Sequence, residues 1–251
     1  MSKFNRKDVI TSIKNPIIQE VLNIQKNQKN NDLFVGEGIN IYYESLKHKS
    51  LVYSLELYNE NNNYISNTSI IISDNVLKKI SSYKNPFNLI GVYKKNQIIK
   101  QHNKILFLDN VQDPGNIGTL IRTATAFQFD AVYNKNNFFT PKIINSTQGS
   151  IFNIYLGKID DTVAEISKLK ENGYKIICAT INSGSKELNK IEFKFEKIVL
   201  VLGNEGHGIN KEIEDLADLK IYIPISFESL NVAIAGSIIM YEINQNNYKK
   251  D

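Results

Sequence analysis

Three loops of this chain place polar side chains where an apolar run gives way to a helix. The first is Asp109-Asn110-Val111-Gln112-Asp113-Pro114-Gly115-Asn116-Ile117-Gly118, leading to Arg122. The second, Val199-Leu200-Val201-Leu202-Gly203-Asn204-Glu205-Gly206-His207-Gly208-Ile209, delivers a strand into glycines around Glu205. The third, Ile223-Pro224-Ile225-Ser226-Phe227-Glu228-Ser229-Leu230-Asn231-Val232-Ala233, sets Ser229 and Asn231 in apolar surroundings. Polar groups there cost free energy unless something bonds them. A strand end meeting a helix start is where α/β proteins put ligands. Pro and Gly shape the first turn, where Asn116 reads as a helix cap. Glycines in the second expose backbone N–H and C=O groups at short range.

Neighbouring chemistries are excluded by spacing. The second loop is G-x-x-G-x-G, neither a dinucleotide fingerprint nor a phosphate-cradling loop. His48, His102 and His207 are scattered, so no zinc spacing exists and no metal is expected. Cys178, the single cysteine, sits in an apolar run and reads as a core residue rather than a nucleophile. No apolar run is long enough to span a bilayer, and the N-terminal residues lack a signal-peptide core. A cytoplasmic protein without membrane contact is expected. The 251 residues are 42% hydrophobic and 22% charged, enough for a core. A net charge of +4 permits a phosphate-rich partner without requiring one.

Periodicity supplies the elements that would position these loops. A helix is expected over residues 8–27, kinked or restarted at Pro16. Residues 30–95 read as a small α/β domain, with strands at Leu33–Val35, Leu51–Leu57, Ile70–Ile72 and Leu89–Tyr93 and a helix over Ile39–Lys47. A polar linker is expected at 96–104 after a leader at 1–29. From Ile105 to residue 247, apolar strands alternate with helices, which implies a parallel sheet covered on both faces. Its strands are expected at Ile105–Leu108, Ala131–Tyr133, Ile154–Leu156, Lys175–Thr180, Ile198–Leu202 and Ile221–Ile223. Its helices are expected at Asn116–Gln128, Thr162–Glu171, Ile209–Leu216 and Ser229–Ile243. The fold class is α/β.

With Asn116-x-Gly118-x-x-x-Arg122, Leu202-Gly203-Asn204-Glu205-Gly206 and Ile223-Pro224…Ser229-Leu230-Asn231-Val232 in this order, the chain resembles the SpoU (TrmH-like) branch of the SPOUT RNA methyltransferases. Ile10-Thr11-Ser12-x-x-Asn15-Pro16 and Phe34-Val35-x-Glu37-Gly38 are similar to the leader and the ribosomal-protein-L30e-like substrate-binding domain of such enzymes. The resemblance implies a parallel sheet with a deep trefoil knot, S-adenosylmethionine as methyl donor, and a homodimer. It implies transfer to a ribose 2′-hydroxyl of RNA, ribosomal before transfer RNA. On this chain the cofactor would be held by Leu202, Gly203, Asn204, Gly206, Ile223, Ile225, Leu230 and Val232. Catalysis would fall to Arg122, Asn116, Glu205, Ser229 and Asn231.

Three departures from the family pattern stand out. The third motif is shorter than usual and lacks a glycine. Asn145 stands where the family usually shows Arg, and Phe87-Asn88 replaces a common Gln-Gly. A guanidinium stays protonated near neutral pH, so the role implied for Arg122 is to stabilise the developing alkoxide and grip a phosphate. The 2′-hydroxyl proton would pass to that phosphate, to water or to Glu205. Tyr42, Tyr43, Tyr53 and Tyr58 are candidates for base stacking or for core packing. The competing readings are a catalytically inactive RNA-binding relative, a base-methylating enzyme of the superfamily, and a phosphatase or dehydrogenase on a doubly wound sheet.

Overall fold

The structure is a computed structural model that describes residues 9–28, 30–61, 63–95, 102–226 and 228–248. Along the chain come α1 (Pro16–Asn27), β1 (Leu33–Glu37), α2 (Ile39–Lys47), β2 (Leu51–Leu57), β3 (Ile70–Ile72), α3 (Asp74–Ile80) and β4 (Leu89–Lys94). Then follow β5 (Lys104–Leu108), α4 (Pro114–Ala126), β6 (Ala131–Asn134), α5 (Pro141–Ser146), β7 (Tyr155–Lys158), α6 (Thr162–Glu171) and β8 (Lys175–Ala179). The last are β9 (Lys186–Glu187), β10 (Ile198–Leu202), α7 (Lys211–Leu216), β11 (Leu219–Tyr222) and α8 (Val232–Tyr248). None of the described helices is long and apolar enough to cross a membrane.

The chain forms two compact units, one of residues 1–97 with 139–152, the other of 98–138 with 153–251. The first holds a four-stranded sheet of order β1-β4-β2-β3. Its β1–β4 and β4–β2 pairs are antiparallel and its β2–β3 pair is parallel. Ile18, Val21 and Ile24 of α1 bury against Leu55, Ile72 and Ile90, with Val76 and Ile80 of α3.

Two expectations are corrected here. The helix expected over 8–27 begins only at Pro16, capped by Asn15 Oδ1, which accepts from Ile17 N at 3.0 Å. The proline ring disfavours a preceding helical turn. Ile10 instead bridges to Ile72, its N–H donating to Ile71 O at 2.9 Å. Residues 139–152, expected in the second domain, pack in the first unit. Their aromatic rings explain it: Phe139 and Phe152 lie 5.1 and 5.7 Å from the Phe34 ring of β1. Most of the expected linker at 96–104, and residues 1–8 and 29 of the leader, lie outside the described residues.

The second unit carries a seven-stranded sheet of order β7-β6-β5-β10-β8-β11-β9, every pairing parallel. Strand residues alternate between its faces. Ile105, Phe107, Ile176, Cys178, Val199 and Val201 bury against Ile166 and Leu169 of α6 and Ile213 of α7. From the alternate set, Leu202 packs with Leu120 of α4 against Gly236 of α8, where a Cβ would come 2.6 Å from both leucines. That missing side chain lets α8 lie close on α4 and the end of β10. Several boundaries differ from the sequence expectation by a few residues, with α8 starting at Val232 rather than Ser229.

Candidate active site

Strands β10, β8 and β11 are neighbours in the parallel sheet, so their C-terminal ends open on one side together. A cavity of about 540 Å3 lies there. Leu202, Gly203, Asn204 and Glu205 line it from the loop after β10. Ile223, Ile225, Ser229, Leu230, Asn231 and Val232 line it from the segment between β11 and α8. Ile225 and Leu230, each 37% exposed, leave apolar surface open at the cavity.

The loop after β10 is a tight turn. Asn204 and Gly208 exchange backbone hydrogen bonds, each of 2.9 Å. Asn204 Oδ1 accepts from Gly206 N at 2.8 Å and from His207 N at 3.1 Å, and its Nδ2 donates to Asn110 O at 3.0 Å. A Cβ on Gly203 would lie 2.3 Å from the backbone carbon of Gly208, so only glycine fits there. Gly206, expected at the cofactor, is not on the cavity wall; its N–H is taken up inside the turn.

Asn116 in the first turn of α4, Glu205 in the loop after β10 and Asn231 just before α8 are joined by hydrogen bonds. Asn116 Nδ2 donates to Glu205 Oε1 at 2.8 Å, and Asn231 Nδ2 donates to Asn116 Oδ1 at 3.0 Å. The Asn116 side chain is available because it does not cap α4. Asp113 does, its Oδ1 accepting from Asn116 N at 2.8 Å, which corrects the reading of Asn116 as the cap. Asn231 caps α8 with its Oδ1, accepting from Ala233 N at 2.9 Å and Ile234 N at 3.3 Å. All three side chains sit at partly or fully exposed positions. Bonds of this kind are each worth only about 1 kcal/mol. Their effect is to fix where one carboxylate and two amides point.

Arg122 lies further along α4 and is exposed; it does not line the cavity. Its neighbour Thr123 faces α8, with Ser237 Oγ at 3.3 Å from Thr123 Oγ1. Ser229 lines the cavity from an exposed position.

Sequence reasoning missed Ala179, Thr180 and Ile181 at the end of β8, which also line the cavity. Thr180 Oγ1 donates at 2.8 Å to Oε1 of the buried Glu214 on α7, and Asn182 Nδ2 donates to both its oxygens at 2.7 and 2.8 Å. A strand of the same parallel sheet ending beside β10 was the signal available. Cys178, one residue inside that strand, is fully buried and its thiol is pushed up to about 12 by burial. No group of three or more His, Cys, Asp and Glu among the described residues is arranged to hold a metal ion.

Known proteins share this architecture. A 23S rRNA (guanosine(2553)-2′-O)-methyltransferase of Bacillus subtilis is 29% identical over 248 residues, spanning 93% of this chain and 98% of that protein. A tRNA (guanosine(18)-2′-O)-methyltransferase of Aquifex aeolicus is 32% identical over 155 residues, spanning 60% of this chain and 73% of the relative. A crystal structure of an rRNA methyltransferase from Sinorhizobium meliloti has a TM-score of 0.78 at 26% identity, covering 94% of this chain and 96% of that one. Its AdoMet-bound form has the same TM-score at 25% identity, covering 94% and 97%. Residues 103–241 match the SpoU rRNA Methylase family, and with more than half its length inside that match the chain belongs to this family.

Proposed function

We propose that the protein transfers a methyl group from S-adenosylmethionine to a ribose 2′-hydroxyl of RNA, with 23S-type ribosomal RNA as substrate. The observation that carries this reading is the bonded trio of Asn116, Glu205 and Asn231 beside a cavity at the ends of β10, β8 and β11. Family membership supplies the reaction class. The Bacillus subtilis relative matches over nearly the whole chain, first unit included, whereas the tRNA enzyme matches over 60% of it. That difference favours ribosomal over transfer RNA.

The cavity fits the cofactor. Its volume lies within the roughly 300–1,000 Å3 common for small-molecule sites. Apolar Ile221, Ile223, Leu230 and Ile239 offer contact for a purine. Backbone groups of Gly203, Ile223 and Leu230 would give the polar contacts. When bound, S-adenosylmethionine supplies an electrophilic sulfonium methyl.

The chain's own residues would do the rest. Arg122 would stabilise charge developing on the 2′-oxygen and hold the adjacent phosphate. Asn116, held between Glu205 and Asn231, would orient the ribose, and Ser229 would add a hydrogen bond. Glu205 is one acceptor for the proton that leaves the hydroxyl. Alignment of two bound reactants supplies much of the rate in such a reaction.

Assembly as a homodimer fits Arg122's place outside the cavity. Ile234, Ile238 and Tyr241 of α8 are exposed at 54, 37 and 46%, spaced along one helix face. Covering that stripe with a second copy would bring another molecule's surface to α8 and the adjoining α4. A deep trefoil knot formed by the C-terminal segment of the second unit, an L30e-like identity for the first unit and a cytoplasmic setting belong to the same reading. Support for the last is one free buried cysteine and an RNA substrate.

Arg122→Ala tests the assignment. Transfer to unmodified ribosomal RNA should fall by a hundredfold or more, while calorimetry still shows S-adenosylmethionine binding. Transfer near the parent rate would overturn the role of Arg122. Absence of cofactor binding by the parent would leave the inactive RNA-binding relative as the reading.

A further inference from the structure

Residues far apart in sequence line one cavity. Phe87-Asn88 and Asn145 open on a hollow of about 180 Å3 that lies wholly within the first unit. Its apolar base is Ile41, Leu89 and Ile144, each at most 3% exposed. Its polar lining includes the amide side chains of Asn40, Asn88, Asn145 and Gln148. No lysine or arginine lines it.

The walls are held in place. Glu37, at the end of β1, is 6% exposed and accepts from Ser81 Oγ and from Ser82 N, each at 2.7 Å. These bonds anchor the turn that leads to Tyr83 and Phe87. The Phe87 ring is 46% exposed and meets Tyr83 edge-on at 5.6 Å, and Tyr83 Oη donates to Pro141 O at 3.3 Å. The ring lies over Gly38, where a Cβ would be 3.6 Å from it. On the far wall, Gln148 Oε1 accepts from Asn40 Nδ2 at 2.7 Å while its Nε2 donates to Asn145 O at 2.7 Å. Among the described residues the side-chain amides of Asn88 and Asn145 have no partner.

An exposed aromatic face beside unpaired amides, with no cation, suits a planar uncharged ligand carrying both donors and acceptors. The hollow is smaller than the roughly 300–1,000 Å3 of ordinary ligand sites, so one ring system fits and its backbone stays outside. A lining of amides with no guanidinium or ammonium group suits base edges better than phosphates. Unpaired RNA bases are recognised this way, stacked on an aromatic ring and bonded along an edge.

We propose that this cavity takes one unpaired base of the substrate RNA, stacked on Phe87 with its edge against Asn88 and Asn145. It is then a specificity-determining subsite of the first unit, lined by none of the residues that line the cavity at the ends of β10, β8 and β11. The proposal rests on the RNA-methyltransferase reading above.

The test uses the full chain and ribosomal RNA from cells lacking the gene, with binding measured across a salt series. Phe87→Ala should weaken binding about fivefold to a hundredfold, the value of one base–aromatic stack, and Phe87→Tyr should restore most of it. The slope of affinity against salt should not change, because no phosphate contact is lost. Asn145→Ala should reduce discrimination among single-stranded oligo(A), oligo(C), oligo(G) and oligo(U). S-adenosylmethionine binding should match the parent in all variants, which also shows that they fold. Parent-like affinity in both alanine variants, or a salt slope lowered by about one, would overturn the subsite. A parent that binds RNA but transfers no methyl group would overturn the enzyme reading and leave the binding comparison decisive. A parent that binds no RNA would overturn both.

Discussion

Both ends of the Asn231 amide are engaged: Oδ1 caps α8, and Nδ2 donates to Asn116 Oδ1. The trio therefore has one polarity, from the Asn231 donor through the Asn116 amide to the Glu205 acceptor. Asn231→Ala removes cap and link together. Loss of an N-cap costs about 1 kcal/mol, so the melting temperature should fall by about 2–4 °C for a chain of this size. Asn231→Asp separates the roles. A carboxylate still caps a helix N-terminus, yet it now sets acceptors on both sides of Asn116. The melting temperature should stay close to the parent's while methyl transfer drops at least tenfold. Equal transfer by the Asp variant would mean that the trio's polarity is irrelevant. Sequence alone singled out Asn116, Glu205 and Asn231 by type and by place after a strand. It misread Asn116 as a cap, because Asp113 and Asn116 are both good caps and only the folded turn decides between them.

Among elements, α2, β2, β3, α6 and β10 have the bounds their apolar spacing predicts. Each is a regular run with clear breakers at its ends. Two-residue β9 and six-residue α5 carry too few residues for a period to register. The strand order was not readable either, since β10 sits between β5 and β8 through pairing across long stretches of chain. Thr180 and Ile181 escaped notice for that reason: they join the site only because β8 lies beside β10. Two glycines of this sheet-and-loop region should respond differently to alanine. Gly203→Ala drives a Cβ into the Gly208 backbone at 2.3 Å, which no rotamer change relieves. Calorimetry should find cofactor binding abolished or weakened more than a hundredfold. Gly236→Ala meets only the ends of Leu120 and Leu202. Overpacking of about 1–3 kcal/mol is there partly offset by the roughly 1 kcal/mol alanine gains over glycine inside a helix. Its melting temperature should fall by no more than a few degrees, with cofactor binding retained. Similar losses of cofactor binding in both variants would refute the close-approach argument.

For the assembled molecule, the exposed stripe Ile234, Ile238 and Tyr241 sets the expectation for subunit association. Ile238→Lys places a charge in the middle of that stripe. Sedimentation should show a monomer, with methyl transfer falling while the fold persists. A parent protein that is already monomeric would remove the dimer from the reading. Cys178 then reports on the second unit as a whole. It lies in β8, inside the sheet with β10 and β11 on either side, and is fully buried. Burial pushes its thiol up to about 12, so at pH 8 it is neither reachable nor appreciably ionised in the native state. Labelling by a disulfide reagent should therefore require unfolding of this unit. Whatever binds only the folded form lowers that open population by the binding free energy. S-adenosylmethionine at a hundred times its dissociation constant should slow labelling about a hundredfold, equivalent to about 2.7 kcal/mol. Protection should vanish in Gly203→Ala, whose loop after β10 cannot close, and persist in Arg122→Ala, whose cavity is intact. Fast labelling of the native protein, or protection equal in both variants, would separate the cysteine from the cavity and refute the coupling.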